Sequence, residues 1–172
     1  MLPLPQPGDR RAQLQRLLGG QPLLWSGTVQ HEGPAAQGRA TVYLDVSGSM
    51  QPWLPVLLQA LLRAGESVRW PVLGFSTEVH ALTREDLAQG RVRTTGGTHI
   101  GCVAEHLLQH RVARAVVITD GDVQRLGSVA LTRLRRRAPR VVAGLVDGGP
   151  DAFCAAPGWA AVRLPPLERS AR

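Results

Sequence analysis

Ala40-Thr41-Val42-Tyr43-Leu44-Asp45-Val46-Ser47-Gly48-Ser49 is the stretch that decides the fold. Its first five residues form a β-rich run that reads as a buried strand, and the run stops abruptly at Asp, Ser and Gly, residues that favour turns and helix starts. A helical pattern follows over about Trp53 to Arg63, with Leu54, Leu57, Leu58, Leu61 and Leu62 on one face. Strand, polar turn and amphipathic helix together make the first unit of an α/β sheet.

The same alternation continues outward. Val72-Leu73-Gly74-Phe75, started by Pro71, reads as the next strand, and Val79-His80-Ala81-Leu82 follows after only a few residues. That gap is too short for a parallel crossover, so the pair is expected to be an antiparallel hairpin at a sheet edge. The loop Thr94-Thr95-Gly96-Gly97-Thr98 leads into a helix over about His99 to His110; Ala115 to Ile118 is a strand ending at Thr119-Asp120-Gly121-Asp122; a helix runs to about Arg137, then come strands over Val141 to Val146 and near Val162. The expected fold is a doubly wound, Rossmann-like, mainly parallel sheet with one antiparallel edge strand and helices on both faces.

A chain of 172 residues is enough for one ordinary domain. Residues 1–38 read as an N-terminal extension packing on the domain of residues 39–172: a Pro-rich start, a short helix from about Arg10 to Leu18, the breaker Gly19-Gly20 and the apolar Leu23-Leu24-Trp25.

All 20 of the Lys+Arg cations are arginine. A P-loop needs a lysine on its phosphates and a Schiff-base enzyme needs a lysine amine, so both chemistries are excluded. The net charge of +7, with a pI near 11.3, points to acidic partners or simply to GC-rich coding bias. Two cysteines, Cys102 and Cys154, form no disulfide framework and fit a reducing compartment. Neither a signal-peptide h-region nor an apolar stretch approaching a membrane span is seen, and the expectation is a soluble cytoplasmic protein.

In open α/β sheets, ligands bind beyond the carboxyl ends of the strands. Three segments converge there: Asp45, Ser47 and Ser49 after the first strand, Asp120 after the fourth, and Thr98 before a helix that starts at that edge. Two carboxylates and three hydroxyls form an all-oxygen set suited to a hard cation, Mg²⁺ first, with Mn²⁺ or Ca²⁺ as alternatives. Helix capping explains one or two of these residues, not five on one edge.

These motifs resemble the metal-ion-dependent adhesion site (MIDAS) of von Willebrand factor A (VWA) domains. An isolated Asp-x-Ser-x-Ser is a weak signal; here it stands in order with Thr98 after Gly96-Gly97, Thr119-Asp120-Gly121 after a strand, and Phe75-Ser76. The resemblance, over roughly residues 39–165, implies that Ser47, Ser49 and Thr98 ligate the metal directly or nearly so. Asp45 and Asp120 act directly or through water, and a partner's carboxylate completes the shell. The usual closing helix after the last strand is not evident, and residues 8–20 or a partner are the candidates to replace it. Bacterial stand-alone cytoplasmic VWA proteins often work with MoxR-type AAA+ ATPases, which implies a non-enzymatic adaptor for such a partner. The alternatives are an RNA-associated VWA protein using its arginines and a metal-dependent phosphohydrolase. The second lacks its general acid, because Ser47 stands two residues after Asp45.

Other residues read less sharply. His99, Asp122 and Asp147 are rim candidates for partner binding. Asp122 also suits a first-turn acid on its helix dipole, and Asp147 a simple Asp-Gly-Gly turn. Arg133, Arg135, Arg136, Arg137 and Arg140 form a basic cluster at a helix end, a candidate contact surface expected at the pole opposite the metal. Cys102, His106 and His110 recur every four residues, but eight residues of helix rise about 12 Å and the three cannot share one zinc ion. A helix flank is the expected reading.

Overall fold

A computed structural model describes residues 39–165, all within the unit Gly38–Arg172. The helix and apolar segment expected in residues 1–38 lie outside the described residues. The order of elements is β1 (Ala40–Asp45), α1 (Leu54–Ala64), β2 (Val68–Phe75), β3 (Val79–Leu82), α2 (Arg84–Ala88), α3 (Ile100–Gln109), β4 (Arg114–Thr119), α4 (Ser128–Arg137), β5 (Arg140–Leu145) and β6 (Trp159–Arg163). The strands form one sheet in the order β3-β2-β1-β4-β5-β6. β3 alone is antiparallel, paired to β2 as the short hairpin requires, and the other pairings are parallel.

Strand side chains alternate between faces, and β1 divides the core accordingly. Tyr43 packs with Phe75, Ile100, Val103, Leu107 and Leu134 on the α3 and α4 side. Val42 and Leu44 pack with Leu57, Leu58, Leu61 and Leu87 on the α1 and α2 side. Helices therefore cover both faces.

Two local features depart from the sequence reading. β2 begins at Val68, before Pro71, because its register slips: Thr41 pairs with Arg69, yet Tyr43 pairs with Leu73. The bulge opposite Val42 accommodates a proline that an unbroken interior strand would not accept. The short helix α2 is the second departure, although Thr83 and Asp86 form a capping box, with the Thr83 hydroxyl accepting from the Asp86 N–H at 3.1 Å and the Asp86 carboxylate accepting from the Thr83 N–H at 3.0 Å.

Residues 121–127 hold no helix, and α4 starts only at Ser128. Its one buried residue, Leu134, is wholly enclosed. Ala138, left-handed with φ 44°, ends the helix, and Pro139 leads into β5. Leu134, with the partly buried Ala130 and Leu131 beside it, ties the Arg-rich helix to the core, and Leu134→Ala is expected to destabilise the protein by about 2–5 kcal/mol, measured by urea denaturation.

Candidate metal-binding edge

Chain order reverses between β1 and β4: β1 is followed outward by β2 on one side, and β4 lies on the other. Such a switch point opens a crevice at the carboxyl ends of the two strands. Asp45 is the last residue of β1 and Thr119 the last of β4.

Asp45 is fully buried. One of its oxygens accepts from the Ser47 N–H at 2.9 Å and the other from the Thr119 hydroxyl at 2.7 Å. The Thr119 hydroxyl in turn accepts from the Gly121 N–H at 3.1 Å. Burial pushes the Asp45 carboxyl above its ordinary range, the Thr119 and Ser47 hydrogen bonds pull it back, and the neighbouring Asp120 charge adds to the rise. The Ser47 and Ser49 hydroxyls lie 3.2 Å apart. Asp120 is oriented by the Asp122 N–H, which donates to its Oδ1 at 3.0 Å.

Thr98 reaches this edge through its neighbour and makes no bond of its own to the other four. The His99 N–H donates to the Ser76 carbonyl at 2.7 Å. Ser76 follows Phe75, whose carbonyl accepts from the Val46 N–H at 2.9 Å. The loop is tied again by Thr95, whose hydroxyl meets Ser76 Oγ at 2.6 Å and also contacts the Thr77 hydroxyl. All five residues thus share one edge, with Asp45, Ser47 and Ser49 joined by hydrogen bonds.

Thr119, Ser76 and Thr95 join the site beyond the five expected ligands. Thr119 and Ser76 stand in the sequence only as neighbours within the Thr119-Asp120-Gly121 and Phe75-Ser76 motifs, and Thr95 only as a loop hydroxyl; the register shows that Thr119 adjoins Asp45. Gly121 and Gly149 are a second device with no sequence signature. A Cβ on Gly149 would fall 1.6 Å from the Asp120 carbonyl oxygen, and one on Gly121 (φ 81°) would fall 2.1 Å from that of Pro150. The Asp120 turn is pressed against the loop after β5 so closely that neither position admits a side chain.

Among the rim candidates, His99 is exposed at the N-cap of α3, its Nδ1 lying 3.1 Å from the Gln124 side-chain oxygen. Asp122 is not a first-turn acid, since α4 begins six residues later and has no acid in its first turn; its backbone serves Asp120 instead. Asp147 is exposed in a left-handed turn (φ 52°) with Gly148.

Arg133, Arg135, Arg136 and Arg137 are exposed on α4, whereas Arg140 belongs to β5 rather than to the helix end. Because α4 connects the carboxyl end of β4 to the start of parallel β5, its Arg-rich end lies at the pole opposite Asp120.

Among the described residues no three His, Cys, Asp or Glu side chains gather as a metal cluster. Cys102 lies half-buried, with its sulfur 4.0 Å from the Ser76 carbonyl and its thiol pushed up to about 11, mainly by burial. His106 Nδ1 meets the Tyr43 hydroxyl at 2.9 Å, and exposed His110 stacks on His106 with ring centroids 4.1 Å apart. The flank is partly packed, against Tyr43 and the Ser76 carbonyl.

A doubly wound sheet with an Asp-x-Ser-x-Ser loop at its switch point defines the VWA class of domain. The chain belongs to that class: the family model described as VWA domain containing CoxE-like protein matches residues 27–147, more than half of the chain. Compared with curated proteins, the chain matches none closely enough to count as a relative. Among the described residues no helix is long and apolar enough to cross a membrane.

Two outcomes follow. Gly149→Ala is expected to cost about 1–3 kcal/mol in thermal or urea denaturation, as overpacking does. Gly48→Ala, with nothing within 4 Å of the new methyl, stays within about 0.5 kcal/mol. The second concerns pH. Burial lowers the His106 pKa below its ordinary value, as does the charge of His110. Between the folded value and roughly 6.5 the unfolded chain therefore binds the extra proton, and the His106 contribution, full above that pH, fades as pH falls through the window. Asp45, raised by burial, acts with the opposite sign, so the test is a difference: from pH 7.5 to 5.5 the urea midpoint falls further in wild type than in His106→Gln. An equal fall in both contradicts the assignment.

Proposed function

We propose that this domain is a non-enzymatic protein-binding module that captures an acidic side chain of a partner through a divalent cation, Mg²⁺ in the first place, held by Asp45, Ser47, Ser49, Thr98 and Asp120. The observation that carries this reading is the convergence of two carboxylates and three hydroxyls at the switch point.

The donor set fits such an ion. Octahedral Mg²⁺ with bonds of 2.0–2.1 Å places adjacent ligand oxygens about 3.0 Å apart, and the Ser47 and Ser49 hydroxyls are 3.2 Å apart. Both Asp45 oxygens are already engaged once, which leaves each with acceptor capacity for the ion or for a water on it. A buried carboxylate beside a second one is costly, and a cation between them offsets both the burial and the repulsion. When bound, the ion supplies an electrophilic position for a carboxylate from outside. Ser47, Ser49 and Thr98 contribute neutral oxygens and leave that positive character largely intact.

The CoxE-like family membership supports an adaptor role beside a MoxR-type AAA+ ATPase, which would supply the nucleotide hydrolysis that a lysine-free chain lacks. A hydrolase reading is not favoured: the position two residues after Asp45, where a general acid would stand, is Ser47, whose hydroxyl meets Ser49.

Mg²⁺ at about 100 times its Kd is expected to stabilise the fold by about 2.7 kcal/mol, read as a rise in thermal midpoint that EDTA reverses. Asp45→Ala and Ser47→Ala abolish the rise. Retention of a candidate ATPase partner in a pull-down is expected to need Mg²⁺ and both residues; unchanged retention in EDTA overturns the reading.

A further inference from the structure

We propose that the pole opposite the metal-binding edge is a second, independent binding surface, which takes single-stranded nucleic acid. The observation behind it is where the arginines fall in the sheet register. Arg69 is the second residue of β2, Arg39 immediately precedes β1, Arg114 opens β4 and Arg140 opens β5. These are four adjacent strands in the order β2-β1-β4-β5. Thr41 pairs with both Arg69 and Ala115, and Arg114 pairs with Arg140. The four guanidinium-bearing residues thus lie within two residues of one level across the sheet, on strands about 4.8 Å apart, Arg69 on the face of Thr41 and Ala115 and the Arg114–Arg140 pair on the opposite face. Arg63 at the end of α1, Arg111 after α3 and Arg137 at the end of α4 are delivered to the same pole by the connections.

Like charges side by side on neighbouring strands repel, and little at this pole relieves them. Glu66 neutralises Arg39 at 2.6 Å and is shared with Arg84. Among the described residues no ion pair involves Arg63, Arg69, Arg111, Arg114, Arg137 or Arg140. Arg114 is half-buried, and one of its terminal nitrogens is enclosed without a hydrogen-bond partner, so it adds to the positive potential at this pole without itself being open to a ligand. Asp45, Asp120, Asp122 and Asp147 lie at the other end of the strands.

The row ends beside a cavity of about 230 Å³ lined by Arg69, Trp70, His106, His110 and Leu73, among others. It is smaller than the roughly 300–1,000 Å³ of drug-sized pockets, and suits one ring system. Its walls include an indole and the stacked imidazole pair, with His110 exposed. Guanidinium forks match phosphate oxygens in pairs, and bases stack on aromatic and histidine rings. Cations gathered at one pole on both faces of the sheet, with a ring-lined recess on the Arg69 side, favour a strand of phosphates carrying bases over a merely acidic peptide.

The test is fluorescence anisotropy of end-labelled 12-mer oligouridylate and oligothymidylate with the full chain in EDTA, which leaves the proposed metal site out of play. Binding is expected at low salt, with log K falling linearly in log salt. Arg69→Gln/Arg140→Gln, both at exposed positions, lowers that slope by about 1.4, or about 0.7 for each phosphate no longer neutralised. His110→Ala weakens binding about fivefold or more with the slope unchanged. Arg125→Gln/Arg163→Gln removes the same charge away from this pole and leaves binding as in wild type. Absence of binding, equal weakening by the two double variants, or equal competition by polyglutamate, which would mark an acidic-protein surface instead, overturns the proposal. Circular dichroism of each variant confirms the fold, and single Gln variants replace any double that fails to fold. Loss of the Mg²⁺ response with nucleic-acid binding intact would overturn only the metal reading, and the converse only this one.

Discussion

The hydrogen bond from the Thr119 hydroxyl to the buried Asp45 carboxylate, 2.7 Å long, is the constraint on which the rest depends. It joins the ends of the two strands between which the chain reverses its order, and so fixes the floor of the crevice. The Ser47 N–H holds the other carboxylate oxygen and aims the Ser47-Gly48-Ser49 turn over that floor. Without these partners a wholly enclosed carboxylate would be expensive to keep; with them it remains a strained charge that a cation would relieve. The same residue thus anchors the sheet's switch point and, in the proposed reading, draws in the cation.

Around that point the backbone is packed with little slack. Gly149 lies against the Asp120 carbonyl and Gly121 against that of Pro150, so the loop after β5 holds the turn that carries the second carboxylate. On the other side Ser76 and Thr95 bind the Thr98 loop to the end of β2. Three loops are therefore each braced by a different strand end, which suits a site that must present oxygens without first collapsing them onto one another.

Much of this is legible in the sequence. Strand runs such as Ala40–Leu44 and Ala115–Ile118 are short and apolar, helices such as α1 carry a clear leucine stripe, and the gap before Val79 is too short for a crossover; these features lead to the observed sheet with its antiparallel β3. The candidate site is legible because Asp, Ser and Thr recur at strand ends in a fixed order. The rest is set by register and close approach, which no local pattern reports: the partnership of Thr119 with Asp45, the bulge around Pro71, and the glycine contacts at 121 and 149. Asp122 misleads as a first-turn acid because the helix after β4 starts later than its polar loop suggests. The arginines of α4 stand out as a run in sequence, while the four aligned across the strand starts are scattered along the chain and meet only in the folded sheet.

The central claim is that the hydroxyls and carboxylates at the switch point hold a divalent cation. Anomalous diffraction from crystals grown with Mn²⁺ tests it most directly. The account predicts one strong peak between the Ser47 and Ser49 hydroxyls, within about 2.0–2.3 Å of both, and its loss in Asp45→Ala. A crystal that shows no peak there at saturating Mn²⁺, or shows its peak elsewhere on the molecule, would contradict it.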